Sequence, residues 1–104
     1  MIRLDPDRRR VHGPRGSVSV TPVEYRLLRA LLMAGFNQPV SNADLFEAAW
    51  PMVRPPCALA SLRNMIYRLR PALASIRGAH IAVIEPGAYK IEATPTRVPL
   101  ARAA

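Results

Sequence analysis

Between residues 57 and 77 the large apolar side chains fall at Leu59, Leu62, Ile66, Leu69, Leu73 and Ile76, in steps of three and four that line one stripe of an α-helix. Such a stripe is stable in water only when packed on a core, so the chain has to supply elements that cover it. At about 100° per residue, the opposite face centres on Asn64, with Ala60, Ser61, Tyr67 and Arg68 around it and Arg63 and Arg70 together on one flank. No Asp or Glu lies between Cys57 and Arg77. Pro71 interrupts the pattern, removes a backbone donor and frees the Tyr67 carbonyl, which predicts a kink or an early end at that point.

The covering elements are legible upstream. Residues 2–4, 9–12 and 17–20 are short runs separated by Asp5-Pro6-Asp7 and Gly13-Pro14-Arg15-Gly16, which predicts a small N-terminal antiparallel sheet. Thr21-Pro22-Val23-Glu24 combines a cap, a first-turn proline and a capping-box glutamate. The helix it opens has Tyr25, Leu28, Leu31 and Leu32 on one face and a left-handed stop at Gly35. Ser41 and Asp44 repeat the capping logic for a second helix that buries Leu45, Ala48 and Ala49 and ends at Trp50. Pro51, Met52, Val53, Arg54, Pro55 and Pro56 form a stiff exposed loop before the third helix. After Gly78, residues 80–84 and 89–92 read as a hairpin, with Pro86 and Gly87 central to a type II turn. Residues 94–104 read as a loose tail, which leaves one domain over residues 1–93.

Composition narrows the function. The 104 residues suffice for a single core, and no apolar run approaches the ~18 residues of a membrane span. The charged N-terminus does not resemble a secretory signal, so a soluble cytoplasmic protein without a membrane partner is expected. Lys+Arg is 15 against Asp+Glu 7, a net charge of +8, and every basic residue except Lys90 is arginine, which points to a polyanionic partner. Cys57 is the only cysteine and His12 and His80 stand apart, so neither a metal nor another cofactor is expected, and Cys57 reads as inert packing. The carboxylates are scattered, and no nucleophile, base or phosphate-cradling loop assembles. An enzyme is therefore not expected. Tyr25, Phe46, Trp50 and Tyr89 read as packing residues rather than base-stacking platforms.

From residue 17 to 91 the chain resembles the OmpR/PhoB-type winged-helix domain, the DNA-binding effector half of bacterial response regulators. The resemblance is carried by Thr21-Pro22-Val23-Glu24-Tyr25 with Leu27-Leu28, by Val40-Ser41 followed by Leu45-Phe46-Glu47-Ala48-Ala49-Trp50, by Ser61-Leu62 leading to Ile66 and Arg68-Leu69-Arg70, and by Tyr89-Lys90-Ile91. It implies an α+β winged helix-turn-helix: a four-stranded N-terminal sheet, three helices and a C-terminal hairpin wing, with the third helix reading bases in a DNA major groove. Arg68 matches a family arginine that reaches base edges and Arg70 one that grips phosphate, while Asn64 and Tyr67 fall on other positions of the DNA-facing surface. The chain departs from the family at Ala60, where an arginine is usual, at Arg63, where an acid is usual, at Met65, where histidine is frequent, and at Glu85-Pro86-Gly87-Ala88, where the wing usually offers arginine and two glycines. A glutamate there is repelled by phosphate, so the wing is not expected to read DNA as its relatives do, and Arg63 is expected to add a phosphate contact.

The expected function is sequence-selective binding of double-stranded DNA by a cytoplasmic, nucleoid-associated transcriptional regulator. The expected contacts are Ser61, Arg63, Asn64, Tyr67, Arg68, Arg70, Arg77 and Lys90. The chain begins at Met1 directly before this domain, so a freestanding regulator without a phosphoacceptor domain is expected. The competing expectation is a protein-interaction winged helix whose 51–56 loop meets RNA polymerase or another regulator. Relatives of this type often bind as dimers or tandem copies on repeated half-sites.

Overall fold

The computed structural model describes residues 2–84 and 87–93. Three antiparallel strands come first: β1 (Arg3–Asp5), β2 (Arg10–Gly13) and β3 (Gly16–Ser19), paired in that order. The first turn is held by Asp5, whose Oδ1 accepts the backbone N–H of Asp7 (3.1 Å) and of Arg8 (3.3 Å). Arg9 completes it at φ 51°, the left-handed region. The resemblance implied a fourth strand in this sheet, but the described residues hold three. Two turns and three short strands use up the residues ahead of the Thr21 cap.

Helix α1 (Pro22–Ala34) starts as its capping box predicts: the Glu24 N–H donates to Thr21 Oγ1 (3.2 Å) and the Thr21 N–H donates to Glu24 Oε1 (2.9 Å). It stops at Gly35, but with φ 106° and ψ 158°, outside the left-handed helical well expected and in a region open to glycine. Its buried face is wider than the sequence suggested. Leu27 is fully buried beside Leu28 and Leu31, because α1 packs both on α2 (Asn42–Ala49) and on β6 (Ala88–Ala93). Ser41 caps α2 by accepting the Asp44 N–H (3.1 Å), Leu45 and Ala49 are buried, and Ala48 is only half-buried.

A two-residue strand, β4 (Val40–Ser41), joins α1 to α2 and pairs with β6, with Val40 opposite Tyr89. It forms the edge of a second three-stranded sheet in the order β4-β6-β5, where β5 is Ala79–Ile84. The sequence reading missed it because Val40 and Ser41 also serve as helix-entry residues. The hairpin itself follows the expected register, Ile81 opposite Ile91 and Val83 opposite Tyr89. The expected type II turn and the Glu85 wing tip involve residues 85 and 86, and the expected tail is 94–104. These lie outside the described residues.

Helix α3 (Ala58–Ile76) buries Leu62, Ile66, Leu69, Leu73 and Ile76, as the stripe requires. Leu59 is instead 41% exposed, and Ala58 and Met65 are buried in its place. Leu59 sits at one margin of the stripe, and packing rotates the helix so that the other margin faces the core. The helix continues past Pro71 to Ile76 rather than ending early. Burial of Leu73 and Ile76, each worth roughly 1.5–3 kcal/mol, offsets the ~3 kcal/mol cost of an interior proline. Tyr67 and Pro71 are both exposed, so the freed carbonyl opens towards solvent.

The C-terminus of α3 meets the second N-terminal turn. Arg77 caps it in the left-handed conformation (φ 56°, ψ 37°), and the Arg15 N–H donates to the Ile76 carbonyl at 3.0 Å. Gly13 permits this approach, since a Cβ there would lie 2.7 Å from the Ile76 oxygen. Gly13→Ala is expected to lower stability by about 1–3 kcal/mol in urea unfolding, as the hairpin is pushed off the helix end. Pro71→Ala should act in the opposite direction, raising the unfolding midpoint by up to about 3 kcal/mol of stability because it restores a donor without removing buried surface. A midpoint that stays put or drops would show that Pro71 is matched to the helix rather than tolerated by it.

Candidate nucleic-acid interface

The rotation of α3 decides what it presents. Its outward ridge carries Ala60, Asn64 and Tyr67, all exposed, with Tyr67 75% accessible. Ser61 is half-buried, Arg63 is exposed, and Cys57 at the N-cap is exposed rather than packed. No Cys57 side-chain hydrogen bond closes the start of the helix, and its first turn holds no acid.

The arginines leave this ridge on different sides. Arg68 turns towards α1, where its Nε lies 3.5 Å from Glu24 Oε2. The Glu24 side chain is 10% exposed and that of Arg68 61%. Arg70 turns towards the hairpin, and its Nε donates to the Ile81 carbonyl at 3.2 Å. The lack of acids within α3 therefore does not leave Arg68 without a carboxylate, because α1 supplies one. With one partner largely in solvent, the pair contributes on the order of 0–1 kcal/mol to stability. Its larger consequence is geometric: Arg70 is hydrogen-bonded to the scaffold through Nε and Arg68 has its Nε nearest the Glu24 carboxylate, so that in both the edge formed by the two Nη groups is left open.

Arg77 contributes its backbone to the helix cap, and its side chain is exposed. Lys90 lies on the outward face of the β5–β6 hairpin, where its Nζ is 2.9 Å from Glu92 Oε2, and His80 Nε2 bonds Glu92 Oε1 from the neighbouring strand. The structure thus gathers Ser61, Arg63, Asn64, Tyr67, Arg68 and Arg70 on one helix and sets Lys90 in a separate charge-balanced cluster.

Two further arginines are structural in a way the sequence did not disclose. Arg26 of α1 donates through Nε (3.1 Å) and Nη2 (2.9 Å) to the Ala49 carbonyl, placing a cation on the negative end of α2. Arg54, from the exposed 51–56 loop, lies 3.9 Å from Glu47 and 4.9 Å over the Phe46 ring. That contact ties the loop to α2, while Met52 and Val53 stay exposed. Phe46 and Trp50 pack against the core margin, consistent with a packing role. Between α1 and α3 a cleft of about 280 Å³ opens beside Thr21, Trp50, Asn64 and Arg68.

Among the described residues no helix is long and apolar enough to cross a membrane, and no group of three or more His, Cys, Asp or Glu could hold a metal ion. No family model and no curated protein matches the sequence. The architecture is similar to the crystal structure of the DNA-binding domain of Bacillus subtilis CssR, with a TM-score of 0.70 at 20% identity, over 88% of this chain and 99% of that one. The fold is that of a winged-helix domain, and the OmpR/PhoB-type resemblance drawn from the sequence holds at the level of the fold.

The Lys90 ammonium, and secondarily His80, hold the Glu92 carboxyl below its ordinary value of 4.5. A carboxylate depressed in the folded state stabilises it fully above that ordinary value, and the contribution fades as pH falls through the lower folded value. Glu92→Gln should therefore flatten the fall of the thermal midpoint below pH 4.5. Scans of both proteins across that range check this, and parallel acid limbs would contradict it.

Proposed function

We propose that this chain binds double-stranded DNA sequence-selectively, with α3 in the major groove, and regulates transcription without catalysis. The observation that carries the reading is the outward face of α3: Asn64 and Tyr67 form an exposed ridge, and Arg63, Arg68 and Arg70 surround it. An arginine pairs with guanine and an asparagine with adenine through two hydrogen bonds each, whereas arginine–phosphate contacts set register. The net charge of +8 supplies the non-specific attraction and predicts binding that weakens steeply with salt. The likeness to the CssR DNA-binding domain supports the same reading. On it, Arg68 and Asn64 read base edges, Arg63, Arg70 and Arg77 meet phosphates, and Ser61 and Tyr67 line the groove. Such a protein works in the cytoplasm, on the nucleoid, and a domain with this few base contacts gains specificity from dimeric or tandem binding.

Exposed Met52 and Val53 favour a second role for the 51–56 loop, contact with RNA polymerase or another regulator. Recovery of polymerase on the immobilised protein after nuclease treatment supports it, and recovery that vanishes with the DNA removes it.

The central test is a titration on a site selected from random duplexes. Arg68→Ala is expected to relax preference at one base pair by about 1–3 kcal/mol, whereas Arg70→Ala is expected to weaken all sequences alike and reduce the salt slope by about 1. DNA affinity indifferent to both substitutions would end the DNA-binding reading.

A further inference from the structure

We propose that Glu24 is a specificity-determining positioning residue: its buried carboxylate holds the Arg68 guanidinium by one edge, so that the remaining fork is presented to a base at fixed orientation. The inference rests on the DNA-binding reading above and adds to it a residue on a helix that does not itself enter the groove.

Glu24 is the buried charged residue of the described chain, 8% exposed. A buried carboxylate is costly unless its oxygens find partners. Here the two oxygens are divided. Oε1 accepts the Thr21 N–H at 2.9 Å, which closes the capping box. Oε2 is left facing α3, with Arg68 Nε 3.5 Å away. A cap alone requires a single oxygen, and Gln serves in it as well as Glu. The negative charge is thus surplus to capping, and the group it meets is the guanidinium expected to read a base.

The atom involved decides the consequence. A carboxylate bound across Nη1 and Nη2 would occupy the pair of donors that guanine O6 and N7 accept. An ion pair at Nε leaves the edge formed by Nη1 and Nη2 open, and among the described residues neither Nη of Arg68 donates to a protein acceptor. Arginine in solvent loses rotamer freedom when it binds. An arginine already restrained at Nε loses less, and the gain falls on the base whose acceptors match the restrained fork. The cleft beside Thr21, Asn64 and Arg68 leaves the approach to that fork open.

Glu24→Gln separates the two duties of the side chain, because the amide oxygen still accepts the Thr21 N–H while the ion pair is lost. Binding is measured on the selected duplex and on duplexes changed at single base pairs, with Arg68→Ala and the double variant alongside and thermal midpoints recorded for each. The expected result is a preference reduced about three- to tenfold at the base pair that Arg68→Ala also relaxes, with the thermal midpoint within a few degrees of the parent. Glu24→Gln should then add no further relaxation in the Arg68→Ala background. Two results overturn the proposal. One is an unchanged preference in Glu24→Gln while Arg68→Ala still relaxes it. The other is uniformly tighter binding to every duplex, which would mean that the carboxylate competes with DNA for Arg68. If Arg68→Ala itself leaves preference unchanged, the failure belongs to the assignment of Arg68 as a base reader, and the positioning role falls with it.

Discussion

The surface of this protein is set by the burial of one helix stripe. Leu62, Ile66, Leu69, Leu73 and Ile76 enter a core shared with α1, β2, β3 and β5, and at roughly 1.5–3 kcal/mol for each large side chain their combined burial exceeds every opposing local preference of α3. It overrides the proline at position 71 and leaves Leu59 in water. Because side chains advance about 100° per residue, fixing the inward direction also fixes the outward one. A rotation by one position would carry a guanidinium group towards the core, at a cost that no surface contact repays.

Given that orientation, the arginines divide between holding the fold and facing solvent. Arg26 closes the end of α2, Arg10 bridges β2 and β3 through Ser17 and Ser19, and Arg68 and Arg70 tie the two flanks of α3 to α1 and β5. A planar guanidinium can bond the scaffold along one edge and still offer donors along another, which a lysine ammonium does not do in a fixed geometry. The near-exclusive use of arginine is therefore compatible with a surface whose cations are both restrained and available. On the hairpin the pattern differs: Lys90 and His80 are answered by Glu92, and among the described residues after the 51–56 loop the remaining cations, Arg63, Arg68, Arg70 and Arg77, lie on α3 and its cap.

The architecture is similar to that of the CssR DNA-binding domain, and the α3 chemistry is read independently of that likeness. The fold is the one seen in the CssR domain, and the exposed residues of α3 say what that helix can hydrogen-bond. On the proposed DNA-binding reading, base preference depends on how tightly the arginines are held, and a buried carboxylate of α1 stands next to Arg68.

Much of this was legible in the sequence because the interactions responsible are short in chain distance. The Thr21 and Ser41 caps close over three residues, the α3 stripe repeats every three or four, and the strand boundaries follow Asp5 and Gly13 turns. The three helices, the N-terminal sheet, the C-terminal hairpin and the acid-free face were readable for that reason. The tertiary structure alone decided the rest: the exchange of Leu59 for Ala58 and Met65 at the core margin, the short β4 strand against β6, the exposure of Cys57, Arg26 on Ala49 across 23 residues, and the meeting of Glu24 with Arg68. Periodicity specifies that a face exists, but its last few tens of degrees of rotation, and the partner waiting there, depend on neighbours distant in the chain. Their positions are set only when the whole core closes.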